Sequence, residues 1–382
     1  MRSFLRKTLS PHLHPLNQIT ISRSALLSNL AHLQSLQPAD IIFPVLKSNA
    51  YGHGLKQVST ILKSTDIPYI CVDSFPEYQI VKTYAHKKSL ILWETRPENY
   101  AAYDPRRATL GIYHIETLKT LIQTGKRRTI HLFLNTGMNR EGIQEADLHD
   151  FLELLGTAKQ ITLEGVMSHF ANADEIDSSF DHLQIENFKK MYQTIVSSVK
   201  NPEHIRYRHI SNSAGILKHH DPFFNAHRAG LAFYGYHPLS PDDMHYDAWH
   251  KLRPALQIFS TVTALQHLTA GEIVSYGGKR QAKKPTSTAT IPFGYYEWLS
   301  RSLTNSRSVQ RQDKLLPSIG TICMNLSCLD TLGHPVQIGD PITIISSDPI
   351  APNSIANYAK KIGTIPYEIL VKLNEKIRRT IV

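Results

Sequence analysis

From Ile41 to about residue 235, short runs rich in β-branched and aromatic residues alternate with longer stretches of helical period, and this alternation restricts the possible folds more than any other feature. The runs are IIFPVLK (41–47), IPYICVD (67–73), SLILWE (89–94), ATLGIY (108–113), TIHLFLN (129–135), ITLEGVMSH (161–169), HIRYRHIS (204–211) and AHRAGLA (226–232). Between them lie segments such as LKQVSTILKS and FDHLQIENFKKMYQTIVSSVK, whose apolar residues recur at three and four. Successive parallel strands need a long crossover, usually a helix, so the pattern predicts βαβ units. Eight strands with covering helices in roughly 200 residues fit a (β/α)8 barrel. An open doubly wound sheet is the competitor, but no G-x-G-x-x-G follows the first strand.

After residue 250 the pattern changes. LQIFSTVTAL, TSTATIPFG, LLPSIGTICMNLSCL and DPITIISSD read as strands joined by turns, with SIANYAKKIG the one clear helix. A chain of 382 residues also exceeds the roughly 250–300 at which single cores stop growing. We therefore expect a lead over residues 1–15, a barrel domain over 16–250 and a mainly β domain over 251–382. The lead, basic and without acids, lacks the apolar core of a signal peptide and is expected to be disordered.

With 41% hydrophobic residues and no apolar run of about 18, a membrane span is not supported. The net charge of +10 comes from scattered clusters, GKRRT (125–129), GGKRQAKK (277–284) and EKIRR (375–379). None interleaves with aromatics or falls in a nucleic-acid-binding motif, so no nucleic-acid partner is expected and the charge suits small anionic metabolites. Three cysteines, Cys71, Cys323 and Cys328, make no disulfide framework and fit a reducing, cytoplasmic setting. The twenty histidines show no zinc spacing, and no metal is expected.

In a (β/α)8 barrel, chemistry collects at the carboxyl ends of the strands. Lys47 ends the first strand, Arg140 lies past the fifth, His169 ends the sixth, Ser211, Asn212 and Ser213 follow the seventh, and Arg228 and Gly230 sit at the eighth. Taken singly these residues have ordinary structural readings; their convergence on one rim does not. The loops after strands seven and eight are where barrels often hold a phosphate, and Ser213, Gly230 and Leu231 are placed for that. A partly desolvated lysine across the mouth, below its free pKa of about 10.4, can condense with a phosphate-bearing aldehyde, and pyridoxal phosphate (PLP) meets these demands. The glycines of VLKSNAYGHG (45–54) would let the loop fold tightly enough for Tyr51 to reach the phosphate.

That segment, with NTGMNREG (135–142), GVMSHFANAD (165–174), SNSAG (211–215), HRAGLAFYG (227–235), VSYG (274–277), ICMN (322–325) and PYEIL (366–370), resembles the alanine racemase family from about residue 16 to the C-terminus. The resemblance implies a PLP-dependent homodimer, built from a barrel and a β domain, that interconverts L- and D-alanine and supplies the D-enantiomer for peptidoglycan. By the same resemblance, Lys47 looks like the Schiff-base lysine and the base for the D-enantiomer. Tyr276 looks like the base for the L-enantiomer, contributed with Met324 to the partner's site. Tyr51, Ser213, Gly230, Leu231 and Tyr367 would hold the phosphate, with Asn212 in the same cofactor shell. Arg228 would face the pyridine nitrogen and His169 would sit between Arg228 and Tyr276. Arg140 would bind the cofactor's phenolic oxygen and the substrate carboxylate, which the Met324 backbone would also contact.

The chain departs from the family pattern at four places. Asn325 follows Cys-Met where aspartate is usual. Phe133 stands where many members carry a lysine that can be carbamylated to brace the arginine at 140. The usual GYADGY reads GYYEWL (294–299), and Thr321 replaces a frequent arginine, while Arg301 remains nearby. These changes fall on the substrate corridor, so racemisation of serine or of a wider set of small amino acids is the alternative. A PLP-binding homeostasis protein, which has the barrel alone, is a remoter one because the tail carries VSYG and ICMN.

Overall fold

The computed structural model describes residues 14–94, 96–249, 251–278 and 280–382; the lead expected over residues 1–15 lies, through residue 13, outside them. It divides into two compact units. One is Ser22–Ala255; the other joins the residues up to Ile21 to Leu256–Thr380.

The first unit is the (β/α)8 barrel. Six strands pair in parallel in chain order: Tyr69–Val72, Lys88–Ile91, Ala108–Ile112, Arg128–Phe133, Ile161–Met167 and Tyr207–His209. Ile41–Pro44 pairs in parallel with Ala226–Ala229. The ring is completed by a bridge between Val45 and Cys71 and by Arg228 N–H donating to the Ser211 carbonyl at 3.0 Å. Closure leaves no strand edge exposed. Every residue of Tyr69–Val72 and of Ala108–Ile112 is buried, as strands covered on both faces require, which is why these segments read as unbroken apolar runs.

Rings from four strands fill the barrel interior: Phe43 lies 5.4 Å from Tyr69 and 5.5 Å from His209, and Tyr69 5.9 Å from His131, centroid to centroid. Gly165 makes room for this packing, since a Cβ there would stand 2.6 Å from the His131 ring. Outside, helix Leu55–Leu62 buries Leu55, Val58, Ile61 and Leu62, a stripe at spacings of three and four. Helix Arg23–Leu36 starts where the Ser22 side chain accepts a hydrogen bond from Ala25 N–H.

The second unit is built on a nine-stranded sheet. Its order is Ala264–Leu268, Thr286–Ile291, Ser327–Asp330, Lys314–Ile319, Ser308–Arg311, Pro341–Ile345, Leu256–Thr261, Gln18–Ile21 and Arg378–Ile381. The sequence reading counted residues 16–21 with the barrel; in the structure Gln18–Ile21 lies antiparallel to Leu256–Thr261, with Ile19 opposite Ile258. Alternating burial in a four-residue strand does not reveal which sheet it will join. The segment 315–329, read as one strand, is two strands separated by a loop that starts at Gly320, where φ is +78° and a Cβ would stand 2.7 Å from the Val274 carbonyl oxygen. A second helix, Pro366–Val371, follows Ile355–Ile362.

Candidate active site

Lys47 does not end a strand. The first barrel strand stops at Pro44, and Lys47 opens the turn Lys47–Tyr51, in which Ser48, Asn49, Ala50 and Tyr51 all have φ between +51° and +55°. Four successive left-handed non-glycine residues cost roughly 1–2 kcal/mol each, so the surroundings must hold them. The Asn49 N–H donates to Glu77 Oε1 at 3.1 Å, Leu55 N–H donates to Asn49 Oδ1 at 2.7 Å, and Gly52 N–H reaches the Ser48 carbonyl at 3.1 Å. The reversed hand turns the chain back at once, so that Lys47 faces the barrel mouth while Tyr51, 8% exposed, packs 5.0 Å from Tyr234. The Lys47 amine lies 4.2 Å from the centre of the Trp93 ring. Burial lowers its pKa, and the charge of Arg140 lowers it further.

Arg228, on the eighth strand, is the hub of the mouth. It is 5% exposed and donates through Nη1 to His209 Nδ1 at 2.7 Å and through Nη2 to His169 Nδ1 at 3.0 Å and to the Ser168 carbonyl. Burial brings its pKa down to about 10, so it stays cationic at neutral pH. Because an arginine only donates, each histidine accepts at Nδ1 and carries its proton on Nε2. His209 Nε2 then meets His131 Nδ1 at 2.9 Å, extending the line into the barrel interior. Burial, with Arg228, Arg140 and Lys47 pressing on the ring, drives the His169 pKa well below 6.5. His169 is therefore a neutral donor and adds no positive charge to the mouth.

A second corner forms between the seventh and eighth strands. The Ser213 hydroxyl accepts from the N–H groups of Gly230 and Ala232, each at 3.1 Å. Asn212 Oδ1 accepts from Gly215 N–H at 3.0 Å and shapes the turn. Leu231 opens the buried one-turn helix Leu231–Tyr234. A Cβ at Gly230 would stand 2.5 Å from the Tyr51 hydroxyl, so only glycine admits that oxygen. A serine, a phenol and the first residues of a helical turn are the kinds of group a phosphate monoester is held by.

Arg140 lies on the loop after the fifth strand, about half exposed, with its guanidinium paired to Glu141. Phe133, at the end of that strand, is buried and carries no charge. Neither Trp93 nor Glu141 was singled out by sequence reasoning. The former sat inside an expected strand that in fact ends at Ile91, and the latter was read only as part of a motif. Glu77 and His209 were likewise invisible, being recruited from a covering helix and from the end of a strand expected to run on to residue 211.

Tyr276, Met324 and Tyr367 belong to the second unit. Tyr276 is 73% exposed, and its carbonyl accepts from the Thr321 hydroxyl at 2.9 Å. Thr321 thus secures the backbone of that tyrosine. Tyr367 is the second residue of Pro366–Val371. Met324, 55% exposed, lies on a loop laced to the GYYEWL segment: Tyr295 N–H donates to the Cys323 carbonyl at 3.1 Å and Tyr296 N–H to the Met324 carbonyl at 2.9 Å. Asn325 donates to Glu297 Oε1 at 3.2 Å, and Glu297 Oε2 accepts from Gly294 N–H at 2.8 Å. The carboxyl group that the family's usual aspartate would place at 325 is thus replaced by one that reaches the same loop from 297. Among the described residues, no group of three or more His, Cys, Asp or Glu side chains forms a metal-sized cluster.

A closed barrel whose mouth gathers a desolvated lysine, a buried arginine and a phosphate-sized corner, followed in the chain by an antiparallel β unit, defines a class of PLP enzymes. Models of the alanine racemase N-terminal and C-terminal domains match residues 21–238 and 255–381, and the chain belongs to the alanine racemase family. The family depends on PLP. The chain is similar to an alanine racemase of Listeria monocytogenes serotype 4b, at 31% identity over 94% of this chain and 96% of that protein. Among solved structures it resembles the alanine racemase of Clostridium difficile 630, with a TM-score of 0.88 and 26% identity over 97% and 96% of the two chains. It shares its fold with the Bartonella henselae alanine racemase with covalently bound pyridoxal phosphate, with a TM-score of 0.82 and 22% identity over 97% of this chain and 100% of that one.

Proposed function

We propose that the protein is a PLP-dependent racemase interconverting L- and D-alanine, with Lys47 and the Tyr276 of a second copy as its two bases. The observation that carries this reading is the Lys47 amine, desolvated against Trp93 on the rim that also bears Arg140, His169 and Arg228. Bound PLP draws electron density away from the substrate α-carbon and so acidifies its proton. Inverting that centre without releasing the substrate requires acid–base groups on opposite faces. Lys47 Nζ handles the proton on the D side, and Tyr276 Oη, on an exposed side chain, the one on the L side.

Tyr51, Ser213, Gly230, Leu231 and Tyr367 hold the phosphate, with Asn212 shaping the turn beside them. Arg228, cationic at neutral pH and with both terminal nitrogens donating to acceptors around it, faces the pyridine nitrogen and discourages its protonation, which restrains side reactions. His169 relays polarity as a neutral Nε2–H donor toward Tyr276. Arg140 and the Met324 backbone hold the substrate carboxylate. The active form is a homodimer, each copy lending Tyr276 and Met324 to the other, and it supplies D-alanine for peptidoglycan from the cytoplasm. No helix among the described residues is long and apolar enough to cross a membrane.

The test follows the optical rotation of L-alanine, L-serine and a basic amino acid with purified protein and added PLP. Loss of rotation with L-alanine, together with a stronger effect of Tyr276→Phe on removal of the L-side proton than of the D-side one, is expected. Loss with L-serine at equal or greater efficiency would favour the broader reading prompted by GYYEWL, Phe133 and Thr321. Inertness toward all three would overturn racemisation.

A further inference from the structure

The loop after the fifth barrel strand is held rigidly. Leu134 bridges Ile143, Asn135 N–H donates to the Ile143 carbonyl at 2.9 Å, and Asn135 Oδ1 accepts from Gly137 and Asn139 N–H, each at 3.1 Å. Gly142, at φ +115°, has no room for a Cβ, which would stand 2.5 Å from Asn135 N. This frame fixes the carboxylate of Glu141, whose side chain is 11% exposed. Its two oxygens take both arms of the Arg140 guanidinium, Nε to Oε2 at 2.5 Å and Nη2 to Oε1 at 2.6 Å. The indole N–H of Trp93 points at the same Oε1 from 3.4 Å. One anion therefore touches two groups that act on the Lys47 amine: the ring it rests on and the arginine whose charge lowers its pKa.

We propose that Glu141 is a positioning residue that aims Arg140 and Trp93 at the reacting centre. A planar guanidinium held in a fork has one orientation, whereas a half-exposed arginine without the fork samples many. Phe133 offers no anion to Arg140 from the strand beneath, so the bracing charge comes from the loop itself. The same carboxylate offsets part of the repulsion between Arg140 and the Lys47 ammonium. This inference rests on the reading of Arg140 as the substrate-carboxylate ligand.

The test uses the PLP-loaded enzyme with Glu141→Ala and Glu141→Asp. Releasing Arg140 is expected to raise KM for L-alanine about tenfold, the effect of roughly one charge-assisted hydrogen bond, while kcat falls less than threefold; Glu141→Asp recovers part of KM. A merely structural role lowers the active fraction, and hence kcat, and leaves KM alone. A second arm needs no activity. In protein carrying Trp249→Phe and Trp298→Phe, Trp93 is the sole tryptophan, and Glu141→Ala should shift its emission to the red and raise quenching by acrylamide. Unchanged KM together with unchanged Trp93 emission overturns the proposal. Were the parent enzyme inert toward alanine and serine, the functional reading would fail, while the fluorescence arm would still decide whether Glu141 holds Trp93.

Discussion

Gly230→Ala isolates the contact that shapes the proposed phosphate corner. The new Cβ would lie 2.5 Å from the Tyr51 hydroxyl oxygen and 3.1 Å from Cζ, so the oxygen has to retreat by about 1 Å to reach ordinary van der Waals separation. Tyr51 has little freedom to yield. Its ring lies against Tyr234, whose own hydroxyl is tied to the Val45 carbonyl at 2.9 Å, and its backbone belongs to the left-handed turn. Overpacking of this kind costs about 1–3 kcal/mol. Displacing the hydroxyl also removes a hydrogen bond to a charged phosphate, worth about 1.5–3 kcal/mol, which is roughly 10- to 150-fold in PLP affinity. Urea denaturation would measure the first effect and spectrophotometric PLP titration the second. Adding Tyr51→Phe removes the oxygen and leaves only the 3.1 Å contact. The double variant should therefore regain most of the stability but none of the affinity. A single variant that matches the parent in both assays would refute the reasoning, as would a double variant no more stable than the single.

Two other sites give tests by stability alone. Burial, with Asp73 beside it, raises the Glu77 pKa from 4.5 to about 7. Between those values the folded chain keeps a proton that the unfolded chain has released, so this group favours the fold more as pH falls from 7 toward 4.5. Glu77→Gln should flatten that component, which is read as the difference between the two proteins' urea midpoints at pH 5 and pH 8; a difference independent of pH would contradict it. Arg307 is 1% exposed and, among the described residues, donates only to the Ser327 hydroxyl, at 2.7 Å, leaving Nε and Nη1 without partners there. Arg307→Met should leave stability unchanged or raise it by about 1–2 kcal/mol, and a loss of that size in calorimetry would show the charge to be compensated.

The barrel was legible because most of its strands are short buried runs, wholly so at Tyr69–Val72 and Ala108–Ile112, and several are separated by periodic helices such as Leu55–Leu62, so all eight segments could be found without knowing their partners. The rim residues were legible through their motifs, and the structure gathers Lys47, Arg140, His169 and Arg228 within electrostatic reach of one another. The left-handed turn was not: Ser48, Asn49, Ala50 and Tyr51 are ordinary L-residues, and the glycines at 52 and 54 drew attention to the wrong bonds. Asn325 read only as a missing aspartate because Glu297, whose carboxyl group it meets, is distant in sequence and close only across two laced loops. Glu141 passed unnoticed because an adjacent acid and base have no periodicity to reveal that they pair.

The pairing of Gln18–Ile21 with Leu256–Thr261 sets an order of events during synthesis. All the barrel's strands and helices are encoded in one uninterrupted stretch and can assemble as they leave the ribosome. The amino-terminal strand, by contrast, waits roughly 10–50 s at ordinary translation rates before its neighbour exists. Arg378–Ile381, which completes the same sheet beside it, follows later still. Until Leu256–Thr261 emerges, Gln18–Ile21 thus carries Ile19 and Ile21, both wholly buried in the finished protein, with no neighbour to cover them.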